Sequence, residues 1–90
     1  MLLIAYDIKD NKLRTRFSNF IHRFGTRIQL SVFEIQNSEH VLKRINEEIK
    51  KTFSPLFTQD DSVLIYKIGD DDCIEKYGFP KNENGDFLIK

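Results

Sequence analysis

Apolar residues recur at helical spacing in two segments of this 90-residue chain, and a strand-like run precedes each of them. The first stripe consists of Leu13, Phe17, Phe20, Ile21 and Phe24, and the second of Val41, Leu42, Ile45, Ile49 and Phe53. Each stripe is one face of an amphipathic helix and must pack on another element. Helices that alternate with strands pack most simply on a shared sheet, and the chain is long enough for one such domain.

The strand-like runs are short and bounded by polar residues. Residues 2–8 are nearly all apolar, residues 26–36 alternate with period two, and residues 62–68 form a third run. Asp10 and Ser38 are suited to cap the two helices, Gly25 to end the first and Pro55 to end the second. Residues 83–90 look like a turn into a last short strand. The expected fold is an α+β sandwich with both helices on one face of the sheet.

The run over residues 26–36 leaves two topologies open. A ferredoxin-like β-α-β-β-α-β order needs two strands there, yet the run contains no Gly, Pro or Asn on which to turn. Any division of the run must therefore be a bend or a bulge.

The period-two pattern predicts which residues lie on the sheet face without helices. If residues 26–36 are one strand, Arg27, Gln29, Ser31 and Phe33 lie on that open face and Ile28, Leu30 and Val32 on the other. Alternate residues of the first strand, Leu3, Ala5 and Asp7, would join them. We expect a second copy of the chain to cover this partly apolar face, and two-fold symmetry would bring two Asp7 carboxylates together.

Charge is balanced over the whole chain but not along it. Residues 9–27 contain six basic residues and one acid, whereas residues 60–86 contain eight acids and three lysines. The basic flank suits a polyanion, although oppositely charged faces that help the chain pair with itself explain the pattern equally well.

Composition also restricts the compartment. The single cysteine, Cys73, has no internal disulfide partner, and no Cys/His set has zinc spacing. No segment has the roughly 20 apolar residues of a membrane span or the layout of a secretion signal. We expect a cytoplasmic protein with no membrane partner.

Asp7 is the most informative single residue, because it closes a buried strand. It is either a turn former or helix cap, or a ligand for a cation that a neighbouring phosphate shares. The same alternation predicts Tyr6 in the core. The His22 and His40 side chains lack metal spacing, and the run of Asp70, Asp71 and Asp72 lacks the spacing of a calcium loop.

Four sequence segments in order, "AYDI", "LRTRF", "GTRIQLSVFE" and "SVLIYKI", closely resemble the small CRISPR-associated nuclease of spacer acquisition, the partner protein of the CRISPR integrase. The resemblance covers residues 2–68. It implies a ferredoxin-like fold with two strands in residues 26–36, a homodimer, and a C-terminal extension over residues 80–90. In that extension "DFLIK" would pair with the partner's sheet.

The resemblance also implies an activity and its residues. It implies a metal-dependent endonuclease for single-stranded RNA or double-stranded DNA, with Mg²⁺ or another divalent cation held by Asp7 as the catalytic residue. Arg14, Arg16 and Arg27 correspond to nucleic-acid-binding positions, although Arg27 is equally suited to pair with a carboxylate across the dimer. Ser31 and Phe33 are expected at the dimer interface. Leu30 departs from the aromatic that many relatives carry.

Three other functions stay open at this level. A non-catalytic dimer that bridges integrase subunits and holds duplex DNA would need the arginines but not Asp7. An RNA-cleaving toxin shares this kind of first-strand acid. A small-molecule sensor on the same fold has less support, because the chain has no glycine-rich loop.

Overall fold

The computed structural model describes residues 1–36, 39–69 and 73–79. Its elements, in chain order, are β1 (Leu2–Asp7), α1 (Asn11–His22), β2 (Gly25–Gln29), β3 (Val32–Ile35), α2 (Glu39–Glu48), β4 (Ser62–Lys67) and β5 (Cys73–Gly78). A π-helical turn (Ile49–Phe53) and a 3₁₀ turn (Ser54–Leu56) extend α2. None of the helices in these three ranges is long and apolar enough to cross a bilayer.

The five strands form one antiparallel sheet in the order β2-β3-β1-β4-β5. The first four strands and the two helices have the ferredoxin-like order, so the predicted α+β fold is confirmed. Both helical stripes pack on the same sheet face, where Phe17 of α1 meets Phe53 edge to face with centroids 5.1 Å apart. Ile45 and Ile49 are fully buried in the same core.

The start of α1 is as predicted, but its end is not. The Leu13 N–H donates to the Asp10 carboxylate over 2.8 Å, which is a normal N-cap. Gly25 does not cap the helix, because it begins β2 and its φ is not positive. A Cβ at this position would lie 2.3 Å from the Glu34 carbonyl oxygen and 2.5 Å from Ile35 Cγ1. The glycine therefore permits close packing of β2 on β3.

The run over residues 26–36 is a hairpin that turns at Leu30 and Ser31 without a Gly, Pro or Asn. The Tyr6 N–H donates to the Ser31 carbonyl over 3.1 Å, and a bulge lies between Arg27 and Gln29. The two strands implied by the resemblance are thus present. The β1 strand helps to hold the turn, in place of the local backbone preference that Gly or Asn would supply.

The hairpin reverses the predicted assignment of residues to the two faces of the sheet. Phe33 pairs with Ile4 in β1 and is fully buried beneath the helices, and Arg27, its partner in β2, lies on the same face. Ile28 and Leu30, predicted to be core residues, are 48% and 83% exposed. The prediction was wrong because alternation does not continue in phase through a turn and a bulge.

The sheet face opposite the helices is not open at its centre. Ala5, Val32, Leu64 and Tyr66 lie on it and are at most 8% exposed in the single chain, and burial raises the pKa of Tyr66. The homodimer through this sheet face stays a prediction.

The fifth strand was not predicted where it occurs. β5 pairs antiparallel with β4 of the same chain, from Lys67 opposite Cys73 to Ser62 opposite Gly78. The predicted extension over residues 80–90, the Ser38 cap and the Asp70–Asp72 turn all lie outside the described residues.

Candidate functional site

A cleft of about 500 Å³ lies where the end of β1, one side of α1 and the β2–β3 turn meet. It brings together four of the predicted site residues, which are separated by up to 24 positions in sequence. The lining residues are Tyr6, Asp7, Ile8, Lys9, Arg14, Thr15, Ser18, Asn19, Arg27, Leu30 and Ser31.

Asp7 is the last residue of β1 and opens onto this cleft. Its side chain is 39% exposed, and one carboxylate oxygen lies 3.5 Å from Lys9 Nζ, whose side chain is 57% exposed. The capping role that the sequence left open for Asp7 belongs to Asp10. Asp7 is therefore a partly exposed carboxylate at a cleft, within reach of a solvent-borne ligand.

Tyr6 points to the other side of the strand, as predicted. It is 3% exposed, packs edge to face on Phe17 at 5.1 Å and stacks on Phe33 at 6.3 Å between centroids. The ring supports the floor of the cleft from the core.

Arg14 is held against the loop that follows β1. Its Nη1 donates to the carbonyl oxygens of Ile8 at 3.0 Å and Lys9 at 3.3 Å, and its Nη2 donates to Asn11 Oδ1. The guanidinium lies at the cleft, but it also fixes the path of the backbone after Asp7.

Arg27 belongs to β2 and contacts α1 at the cleft. Its Nη2 donates to the hydroxyl of buried Ser18 over 2.5 Å, and its guanidinium carbon is 5.3 Å from the centroid of the Phe33 ring. The hydrogen bond ties β2 to α1, and the stacking on Phe33 helps to hold the guanidinium at the cleft. The predicted placement of Arg27 on the face without helices is wrong.

The two predicted interface residues differ in their surroundings. Ser31 is half-buried at the lip of the cleft, whereas Phe33 is fully buried and offers no side-chain surface to a partner. The Phe33 prediction is corrected because the hairpin register turns its ring into the core. Arg16 is exposed on α1 and does not line the cleft.

The balance of charge favours an anion in the cleft. Among the described lining residues Lys9, Arg14 and Arg27 are cationic and Asp7 is the single carboxylate. A phosphate group would meet the cations with its oxygens, while the carboxylate would repel it unless a cation lay between them.

One important residue was missed by the sequence reasoning. Asp61 is 2% exposed, and its carboxylate accepts hydrogen bonds from the Lys9 N–H at 2.9 Å, the Thr58 N–H at 2.8 Å and the Thr58 hydroxyl at 3.3 Å. Burial would raise the pKa of Asp61, but these bonds and the Lys9 charge outweigh it and lower the pKa below its ordinary value. The available signal was an acid directly before a buried strand, whereas Asp7 is an acid at the end of one.

Comparison with known proteins decides the family. The family model described as CRISPR associated protein Cas2 matches residues 1–76. The chain belongs to the Cas2 family. This match confirms the resemblance to the spacer-acquisition protein and covers the cleft and all of the sheet except the last two residues of β5.

Individual Cas2 proteins agree with the family match. The chain is 28% identical to a CRISPR-associated endoribonuclease Cas2 of Synechocystis sp., over 76% of this chain and 71% of that protein. It is 32% identical to a CRISPR-associated endonuclease Cas2 of Thermus thermophilus, over 72% and 69% respectively. A solved structure of a hypothetical protein from Thermus thermophilus superposes with a TM-score of 0.64 at 30% identity, covering 76% of this chain and 79% of that one.

Proposed function

We propose that this Cas2 protein is a metal-dependent endonuclease of CRISPR spacer acquisition that hydrolyses phosphodiester bonds in single-stranded RNA or double-stranded DNA. The observation that carries the proposal is a partly exposed carboxylate, Asp7, in a cleft whose other charged lining residues are all cations. The relatives named endoribonuclease and endonuclease support a nuclease role in the same family.

The donor chemistry suits a hard divalent cation, but one chain alone supplies too little of it. Carboxylate oxygen is the donor that Mg²⁺ prefers. Within residues 1–36, 39–69 and 73–79 there is no group of three or more His, Cys, Asp or Glu side chains close enough to hold a metal. We therefore propose a homodimer in which Asp7 of each copy contributes to one Mg²⁺ site.

The residues of the cleft have distinct roles in this proposal. When bound, the cation supplies charge neutralisation at the attacked phosphate and activation of water. Asp7 holds the cation, and Arg27 holds a phosphate oxygen from the opposite wall. Lys9, already 3.5 Å from Asp7, supplies a further positive charge beside the same phosphate.

The basic flank extends the proposed contact beyond the cleft. Arg16 and Arg14 lie on the first turns of α1 and would contact backbone phosphates on either side of the attacked bond. Ser31, at the lip of the cleft, is proposed to face the second copy. The CRISPR integrase is the proposed partner protein of the dimer.

A non-catalytic role has one observation in its favour. Arg16 is an exposed cation on α1 that does not line the cleft, so it is placed for a phosphate contact that involves no reaction. In this second proposal the dimer bridges integrase subunits and holds duplex DNA by phosphate contacts alone, and it needs no metal.

The two proposals differ in whether products form. Purified protein is incubated with end-labelled single-stranded RNA and with duplex DNA, in Mg²⁺ or in excess chelator, and products are resolved by gel electrophoresis. The nuclease proposal predicts cleavage of one or both substrates in Mg²⁺ and none in chelator. Salt-sensitive binding of duplex DNA without any products would reject it and favour the scaffold.

A further inference from the structure

Asp61 is distant from Asp7 in sequence but is hydrogen-bonded to the segment that follows Asp7. It directly precedes β4, whose first residue, Ser62, is paired with Asp7 at the end of β1. Its Oδ1 accepts from the backbone N–H of Lys9, 52 positions away and two residues beyond Asp7. The carboxylate is thus attached to the first residues of the loop just after the strand ends.

The other oxygen of Asp61 fixes the carboxylate itself. Oδ2 accepts from the N–H and the hydroxyl of Thr58, and the Asp61 N–H donates to the Thr58 carbonyl over 3.0 Å. The Asp61 carbonyl accepts from the Phe79 N–H over 2.8 Å, just beyond β5. With both oxygens occupied inside the protein and 2% exposure, Asp61 is not available as a ligand for a cation.

The loop after Asp7 is held from two directions. Asp61 takes the N–H of Lys9, and Arg14 donates to the carbonyl oxygens of Ile8 and Lys9. Both peptide units that follow Ile8 and Lys9 are therefore restrained, and they continue directly from the end of β1 at Asp7. A catalytic carboxylate needs this kind of restraint, because small misplacements of a reacting group are costly in rate.

We propose that Asp61 is a positioning residue for Asp7, acting through its hydrogen bond to the Lys9 N–H. The rate effect of this role rests on the proposed nuclease function, whereas the effect on the Asp7 side chain does not. Asp61 touches neither substrate nor cation, so its loss should slow cleavage without weakening substrate binding.

The substitution Asp61→Asn tests the proposal, because an amide has one acceptor oxygen, and the two donors of Thr58 favour turning that oxygen away from the Lys9 N–H. Asp10→Ala is the matched control, since Asp10 also accepts from a backbone N–H in this region but caps α1 rather than restraining β1. The first readouts are hydrogen exchange of the Lys9 amide and the ¹³C signal of the Asp7 carboxyl group, measured by NMR on the whole protein.

In Asp61→Asn we expect Lys9 exchange to rise at least about tenfold beyond the change at other amides, with a displaced or broadened Asp7 carboxyl signal. The single-turnover cleavage rate should fall about tenfold or more, with the substrate dissociation constant within about twofold. In Asp10→Ala the Asp7 signal and the rate should stay near the parent values.

An unchanged Asp7 carboxyl signal in Asp61→Asn would overturn the proposal, as would a parental cleavage rate. If the parent protein does not cleave any substrate while the Asp7 signal still moves, the nuclease function fails and the positioning role stands. Should Asp61→Asn not fold, Asp61→Glu keeps the charge but displaces the carboxylate by one methylene, and the same readouts apply.

Discussion

The carboxylate of Asp61 lies 2.9 Å from the backbone nitrogen of Lys9, so that the residue before β4 holds the loop after β1. This hydrogen bond is made by an ionised group that is almost fully buried. The charge state of Asp61 therefore affects the stability of the whole sheet.

Acid should destabilise the protein partly through Asp61. Its pKa is lowered in the folded chain relative to an ordinary value of 3.8, so the unfolded chain takes up the proton first as the pH falls. The stabilisation that the Asp61 carboxylate contributes is fully present above its pKa in the unfolded chain and is lost as the pH falls through its pKa in the folded chain. Urea unfolding between pH 7 and pH 2.5 measures this change in the free energy of unfolding. Asp61→Asn should be less stable at pH 7 but lose less stability below about pH 4; parallel curves for the two proteins would contradict this assignment.

Phe33 should behave as a core residue and not as a contact for a partner. Phe33→Ala removes a fully buried ring that stacks on Tyr6 and lies beneath Arg27, so we expect a loss of about 3–5 kcal/mol in the free energy of unfolding. Leu30→Ala, in the same hairpin but 83% exposed, should change it by less than about 0.5 kcal/mol. Chemical denaturation of the two variants makes the comparison. Equal stabilities would place Phe33 outside the core.

Substitution of Arg14 and of Arg16 should have different effects on stability, although both residues belong to α1. Arg16→Ala should weaken nucleic-acid binding and reduce the slope of log K against log salt by about 1, with little effect on stability. Arg14→Ala should also lower the free energy of unfolding by about 1 kcal/mol or more, because it removes the hydrogen bonds to the Ile8 and Lys9 carbonyls. Fluorescence anisotropy over a salt series, paired with thermal denaturation, separates the two effects. An unchanged salt slope in Arg16→Ala would remove it from the contact surface.

Local signals predicted the elements of this fold, and long-range pairing determined the parts that were missed. The helical stripes and the Asp10 cap depend on residues within a few positions of one another, and the sequence displays them directly. The faces of Arg27 and Phe33 depend on a turn at Leu30 and Ser31 that β1 helps to hold through Tyr6, which no local residue preference reveals.

The candidate site likewise contains residues that local signals reveal and residues that only long-range pairing brings together. Asp7 stood out because a charge at the end of an apolar run is unusual, and the family motif located the arginines. Asp61 carried a similar local signal, but its partner is 52 positions away, so only the β1–β4 pairing brings it to the loop after Asp7. A carboxylate that works through a backbone N–H leaves no spacing pattern in the sequence.

The proposed nuclease reaction depends on the Asp7 carboxylate. The most direct test compares Asp7→Asn with the parent protein, prepared identically, in single-turnover cleavage of the preferred substrate at saturating Mg²⁺. Asparagine keeps the size of the side chain and removes the charge that would hold the cation, so we expect a rate at least about 100-fold lower with the fold and substrate affinity retained. Equal rates for the two proteins would contradict it.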